Sequence, residues 1–495
     1  TQLAVGVSKP YTYILGGDWQ MDSIKKEEMG KSAVKAGLWY TIGNIALKGC
    51  AFLTLPVFTR LLSTSDFGVY NAYIAYEQIF TAILGVGFYG TIKNAKLDFK
   101  ENFKKYLSSI VFLSVLIFIF ITAAANVAYP IYCNELDFSR FVTNCLLFQS
   151  FGAYMLYLYG VKLNAEFRYR SFLIMSSINV LGNTVLSIIL ILFVFPNERY
   201  LGRILGSAIP LIGIGVALCF LIWRNGRTLY NKAYWKYGLA IGLPLLPHVI
   251  SQSLLSQVDR IMIKDMVGSS EAGIYSYIYT ICTILYIVGN SMENAWSPWV
   301  FYTLDSGDKK RIERAGKDYV MVFALLTIGF FCVMPEVTKI MAGSNYWGGI
   351  SLIIPLTFGN FFVFMYGLPV NIEYYHKKTG FISLGTILAA GLNAVLNYFG
   401  IILFGYQVAA YTTFLSYGML FLFHWFIANK YGVSELYSFK FLLNRTALVL
   451  ILGFVVLLTD GFMVFNFILR YMLIILILIW FYKHRQMLVG ALKRR

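Results

Sequence analysis

The sequence predicts an all-α polytopic membrane protein. It reads as about 14 transmembrane helices, arranged as two parallel-related six-helix lobes plus two extra C-terminal helices. Three observations carry this. Apolar runs of about 20 residues, the length that crosses a hydrocarbon core, recur along all 495 residues. The chain is 58% hydrophobic and 13% charged, where a soluble domain has about 25% charged residues. A motif also occurs twice: STSDFGVY at residues 63–70 and GSSEAGIY at 268–275. Each copy is a short polar turn, an acidic residue, then Gly, a β-branched residue and Tyr opening an apolar segment.

Residues 1–20 lack the basic and long apolar regions of a signal peptide. They are expected to be an upstream extension of a cytoplasmic tail over 1–35, with Met21 as the natural start. Spans are predicted at 36–59, 68–90, 107–129, 141–163, 172–195 and 201–223, making an N-lobe over 36–223. Six more at 236–258, 273–296, 318–341, 349–373, 381–404 and 406–429 make a C-lobe over 236–429. The last two, at 441–459 and 463–482, have no partners and occupy 441–482, before a basic tail over 483–495. A second internal match supports the duplication: Asn183 and Asn393 occupy equivalent places in GNTVLSIILILF and LNAVLNYFGIILF. Strand alternation is absent, which argues against an outer-membrane barrel.

Charge placement orients the spans. Taking alternate loops from the N-terminus, 31 Lys and Arg fall on one side and 5 on the other. The positive-inside rule then puts both termini in the cytoplasm. The formal charge of +17 is a matter of membrane orientation, and nucleic acid is not expected as a partner. Six spans separate the motif copies, so both copies face outward. The halves should be related by an axis along the membrane normal. Such repeats point to a transporter with its substrate path between the halves.

Polar residues inside the spans are the candidate site, because ionisable groups in hydrocarbon are costly. Lys48 lies about 18 Å into span 1 and Glu77 roughly 14 Å into span 2, at 1.5 Å per residue. Thr41, Asn44 and Lys48 share one helix face. Lys48, Asn44 and Glu77 are therefore expected to line a wet cavity that meets an anionic substrate; a purely structural Lys48–Glu77 pair is the competing reading. His248, Gln252, Ser256 and Asp259 form one stripe on span 7, after Pro244 and Pro247, which should break or kink it. The first three join the expected cavity wall. Arg60, Asp259 and Arg260, at outer helix ends, are expected at an outer gate or in helix capping. Arg470, about 10 Å into span 14, is expected beside a lipid phosphate. Glu293, Glu373 and Arg445 are expected at the membrane interface. Gly202 and Gly206 read as close helix packing.

The six cysteines lack CxxC spacing, so buried thiols are expected rather than a metal or redox site. A Cys133–Cys145 bridge near the outer surface stays open. No P-loop, HExxH, GxSxG or paired-carboxylate motif occurs. No cofactor and no catalytic residue is expected, and an ATPase of its own is excluded.

Residues 55–73, LPVFTRLLSTSDFGVYNAY, resemble the start of bacterial polysaccharide flippases, which move O-antigen or capsule repeat units. These belong to the multidrug/oligosaccharidyl-lipid/polysaccharide exporter (MOP) superfamily. Residues 243–279 resemble the start of their second half. The resemblance implies two six-helix lobes forming a V that opens alternately inward and outward in the bacterial inner membrane. It implies a short oligosaccharide on undecaprenyl diphosphate as substrate, its lipid tail in a groove near spans 13 and 14. Polysaccharide polymerase and glycosyltransferases would be partners, besides membrane lipids. Rival readings are a peptidoglycan-precursor flippase, a cation-coupled multidrug exporter of the same superfamily, and a membrane glycan polymerase or ligase. The polymerase class usually needs a sizeable outer loop, and the predicted outer loops are short.

Overall fold

A computed structural model describes residues 43, 49, 52–136, 138–459 and 461–485. Thr41, Asn44 and Lys48 lie outside the described residues. The described chain is helical throughout. In order come α1 (Phe52–Leu61), α2 (Thr64–Gly85), α3 (Ile92–Phe99), α4 (Phe103–Leu136), α5 (Arg140–Ala165), α6 (Tyr169–Ile189), α7 (Arg199–Gly226) and α8 (Lys232–Met266). They continue as α9 (Ser269–Asp305), α10 (Lys309–Met341), α11 (Ile353–Tyr375), α12 (Thr379–Phe404), α13 (Val408–Asn429), α14 (Val433–Leu436), α15 (Phe439–Leu458) and α16 (Met463–Lys483).

Eleven helices among the described residues are long and apolar enough to cross a membrane. Of the expected spans, the first is described only as the short apolar α1. The second and twelfth, α2 and α13, have 22 residues each but carry more polar groups. They bury these against neighbours: Asn71 and Glu77 on α2, Thr412, Thr413, Ser416 and His424 on α13.

Helix starts follow local chemistry. Asn231 accepts from the backbone N–H groups of Ala233 and Tyr234 at 3.0 and 3.1 Å, and Asp308 accepts from that of Arg311 at 3.1 Å. Each satisfies donors that a helix N-terminus leaves free. The expected prolines do not break their helix. Pro244 and Pro247 sit inside α8, which runs unbroken for 35 residues. In a membrane bundle, neighbouring groups and small backbone adjustments can satisfy the freed carbonyls.

Equivalent helices pack in equivalent pairs. In the first half α5 packs on α7, α6 on α7 and α2 on α5. In the second half α11 packs on α13, α12 on α13 and α9 on α11. Across the halves, α2 lies against α8 and α9. Both α15 and α16 lean on α10. Gly202 and Gly206 of α7 approach the end of α6, as close packing requires. No disulfide joins Cys133 and Cys145.

Candidate functional site: a two-fold seam and a polar cavity

The duplicated motif makes a seam between the halves. In the first copy the acidic residue is a cap. The Ser63 hydroxyl accepts from the Asp66 backbone N–H at 3.0 Å, and the Asp66 carboxylate accepts from the Ser63 N–H at 3.2 Å. This capping box starts α2. One turn later, Gly68 faces Gly273 of the second copy. A Cβ on Gly68 would run into the Ser269 carbonyl oxygen and lie 2.8 Å from the Gly273 nitrogen. A Cβ on Gly273 would run into the Thr64 carbonyl oxygen and lie 3.1 Å from the Gly68 nitrogen. Thr64 and Ser269 are equivalent in the repeat, so the contact is reciprocal. The Thr64 and Ser270 hydroxyls close it at 2.7 Å. Only glycine permits backbones this close.

The expected gate residues divide around this seam. Arg60 donates to the Ile340 carbonyl at 3.0 Å, and Thr59 to that of Met341 at 2.9 Å, tying α1 to the end of α10. Arg260 lies over the Tyr279 ring at 4.5 Å and donates to Gln257 at 2.5 Å. Gln257 in turn donates to Gln78 of the first half at 2.8 Å. Asp259 turns the other way, into the second half. It is 1% exposed and accepts from Tyr275, Asn397 and Thr413, each at 2.6 Å. Asn397 also bonds Asn393 and Thr412.

The first half builds the matching hub with the opposite charge. Arg203 donates to Asn183 at 2.5 Å and Ser187 at 2.6 Å. Its guanidinium lies over Phe58 at 3.9 Å and Tyr70 at 4.4 Å. Asn183 is the equivalent of Asn393, and Tyr70 of Tyr275. One half thus holds a partly buried cation in its hub, the other a buried carboxylate.

A polar cavity of about 510 Å³ lies farther from the seam, among α8, α9, α11 and α12. Its wall residue Glu293 is 24 positions along α9 from Ser269, roughly 36 Å at 1.5 Å per residue. His248 and Gln252 line it, as do Asn290, Glu293, Asn294 and Asn371. Asn371 donates to the Glu293 carboxylate at 2.6 Å and Tyr319 at 3.0 Å. Glu293, expected at the interface, is part of this wall. Ser256, of the same expected stripe as His248, donates back to the Ser253 carbonyl at 3.1 Å and is not among the lining residues. Glu77 is 7% exposed, and its backbone carbonyl accepts from Ser150 of α5 at 3.2 Å. Among the described residues, its carboxylate accepts from Thr81 at 3.2 Å. It too is absent from the lining.

Two buried contacts had no sequence signal. Arg470 is engaged by protein rather than left for a lipid phosphate. It donates to both Glu336 oxygens at 2.7 and 2.6 Å and to the Cys332 carbonyl at 2.9 Å. Glu373 is turned into the bundle: it and His424 are wholly buried, 2.9 Å apart. No spacing signal links residues 51 positions apart on different helices. Among the described residues, no group of three His, Cys, Asp or Glu side chains could hold a metal ion.

Comparison with known proteins places this architecture. Residues 33–303 match the family model described as polysaccharide biosynthesis protein. A Haemophilus influenzae uncharacterized membrane protein is 24% identical, covering 72% of this chain and 88% of its own length. The capsular polysaccharide biosynthesis protein CapF of Staphylococcus aureus is 24% identical, covering 65% of this chain and 80% of its own. Among solved structures, the lipid II flippase MurJ in an inward closed conformation superposes with a TM-score of 0.68. It is 14% identical, over 91% of this chain and 100% of that one. An inward-facing multidrug resistance MATE family transporter of the MOP superfamily gives 0.58 at 12% identity, over 80% and 98%. The chain therefore belongs to the polysaccharide biosynthesis protein family, as a multi-pass membrane protein that shares its fold with MurJ and the MATE transporters.

Proposed function

We propose that this transporter flips undecaprenyl-diphosphate-linked oligosaccharide repeat units from the inner to the outer leaflet of the bacterial inner membrane. The observation that carries the reading is the pairing of a seam and a cavity. Backbone contact at Gly68 and Gly273 closes one end of the bundle. A polar cavity lies toward the other end, with Asn290, Asn294 and Tyr374 exposed in it. A closed seam at one end and a polar cavity toward the other make one state of an alternating-access cycle. In this reading the seam is extracellular and both termini are cytoplasmic, as the 31-to-5 charge bias favours.

The equivalent helix pairs support two six-helix lobes over 36–223 and 236–429, with 441–482 added against α10, and 14 spans in all. Lys48 with Asn44 would supply the cationic wall for the diphosphate, with Glu77 tuning it. Glycosyltransferases would load the lipid and a polymerase would consume it on the far side. Deleting the gene tests this. Surface polysaccharide should be lost while lipid-linked repeat units accumulate on the inner leaflet. Rescue of a strain lacking its lipid II flippase would favour the peptidoglycan-precursor reading. Glycan elongation by the isolated protein would overturn the flippase reading.

A further inference from the structure

The chemistry of the second-half cavity is unlike that of an anion site. Among its described lining residues there is no Lys or Arg. The one carboxylate among them, Glu293, is held by neutral donors, Asn371 and Tyr319. A diphosphate there would meet a like charge in a partly desolvated wall, which is unfavourable. The rest of the described wall mixes amides and aromatic rings with aliphatic residues such as Val363, Val370 and Ile382. Gln252, Asn290 and Asn294 project exposed amides, none engaged by another group among the described residues. The buried His248 Nδ1 has no partner among them either.

An amide offers two donors and an acceptor, which complements neighbouring hydroxyls. Convergent polar groups among aromatic side chains are how concave sites orient a neutral polar ligand. We infer that this cavity receives uncharged sugar residues of the lipid-linked substrate and excludes its diphosphate. This rests on the flippase reading above. It divides the substrate between the halves: sugar against α9 and α11, diphosphate elsewhere.

Cysteine protection tests the division in the full-length protein in nanodiscs. Asn294→Cys and, separately, Asn290→Cys are alkylated with a neutral maleimide. Modification is read peptide by peptide by mass spectrometry, so the native cysteines stay in place. A Ser65→Cys control sits at the seam end, far from the cavity. The probes are lipid-linked repeat units extracted from the deletion strain and undecaprenyl diphosphate carrying no sugar. The glycosylated lipid should slow alkylation at both cavity positions about tenfold, because such a cavity covers most of its occupant. The sugar-free lipid should change it less than about twofold, and the control position at the seam should be unaffected.

Equal protection by the sugar-free lipid would put the diphosphate in the cavity and overturn the inference. No protection at either position, from a strain that does accumulate repeat units, would also overturn it while leaving the flippase reading in place. A deletion strain that accumulates no repeat units would bring down the flippase reading, and this inference with it.

Discussion

Adding one methyl group at the seam should open it. Ala is a better helix former than Gly by up to about 1 kcal/mol, so Gly68→Ala or Gly273→Ala should not weaken either helix by itself. The cost lies at the crossing. A Gly68 Cβ would lie 2.8 Å from the Gly273 nitrogen and closer still to the Ser269 carbonyl oxygen, where ordinary contact is 3.4–4 Å. The obstruction is backbone on both sides, so no side chain can rotate away. The helices must part by more than half an ångström. Overpacking of this kind costs about 1–3 kcal/mol. If only the closed state makes the contact, its population falls by roughly 5–150-fold relative to the open state. Either substitution should give a similar shift, because each methyl meets the other copy's carbonyl. The double variant should give less than the sum, since both act on one crossing. Spin labels at Ser65 and Val267, both exposed, would report the change as a longer distance distribution in nanodiscs. Protein abundance checks that folding is intact. If both alanine variants keep the parent distribution and full transport, the seam does not hold this end closed.

Four further outcomes are expected. Arg470→Ala should strand Glu336 beside α16 and cost about 3–5 kcal/mol, read as lost abundance and a lower Tm in detergent. Arg470→Met with Glu336→Leu should recover most of it. Asp259→Ala should leave the Tyr275, Asn397 and Thr413 donors unmatched, at about 1–3 kcal/mol each, and lower the Tm more than the alanine change at exposed Glu435. Lys48→Ala should abolish transport at normal abundance, with Lys48→Arg partly active; full transport by Lys48→Ala with Glu77→Ala would remove Lys48 from the substrate site. A cysteine at exposed Ser65 should label from outside with an impermeant reagent, whereas one at Ser270, bonded to Thr64, should label quickly only when the seam opens.

The repeat was legible because it is written in order along the chain. Its two copies could be aligned before any contact was known. That they touch was not legible, since equivalence under an axis says nothing of distance from it. The span 7 stripe shows a subtler limit. His248, Gln252 and Asp259 do lie along one helix, but the surroundings change along its length. Toward the middle it faces a cavity; nearer the seam α12 and α13 close over it, and Asp259 becomes interior. Periodicity gives the face and not what covers the face. Arg470 and Glu373 make the same point through charge. Their partners, Glu336 and His424, sit on other helices, 134 and 51 residues away. Depth alone suggested lipid or interface, where the structure supplies a counter-charge or a buried imidazole. That the prolines of α8 leave it one continuous helix was not legible either, because their cost is set by neighbours able to take up the freed carbonyls.

The reciprocal seam also bears on ancestry. A surface that binds its own copy about a two-fold axis is what an isologous homodimer uses. Nothing at Thr64, Gly68, Ser269 or Gly273 requires two different sequences. Two identical half-length chains, inserted in the same orientation, could have closed against each other through this patch before any fusion joined them. Fusion would then have freed each half to vary alone. The hubs bear the mark of that freedom: Arg203 bonds Asn183 20 positions back, as Thr413 does the equivalent Asn393, and a buried acid serves the second half.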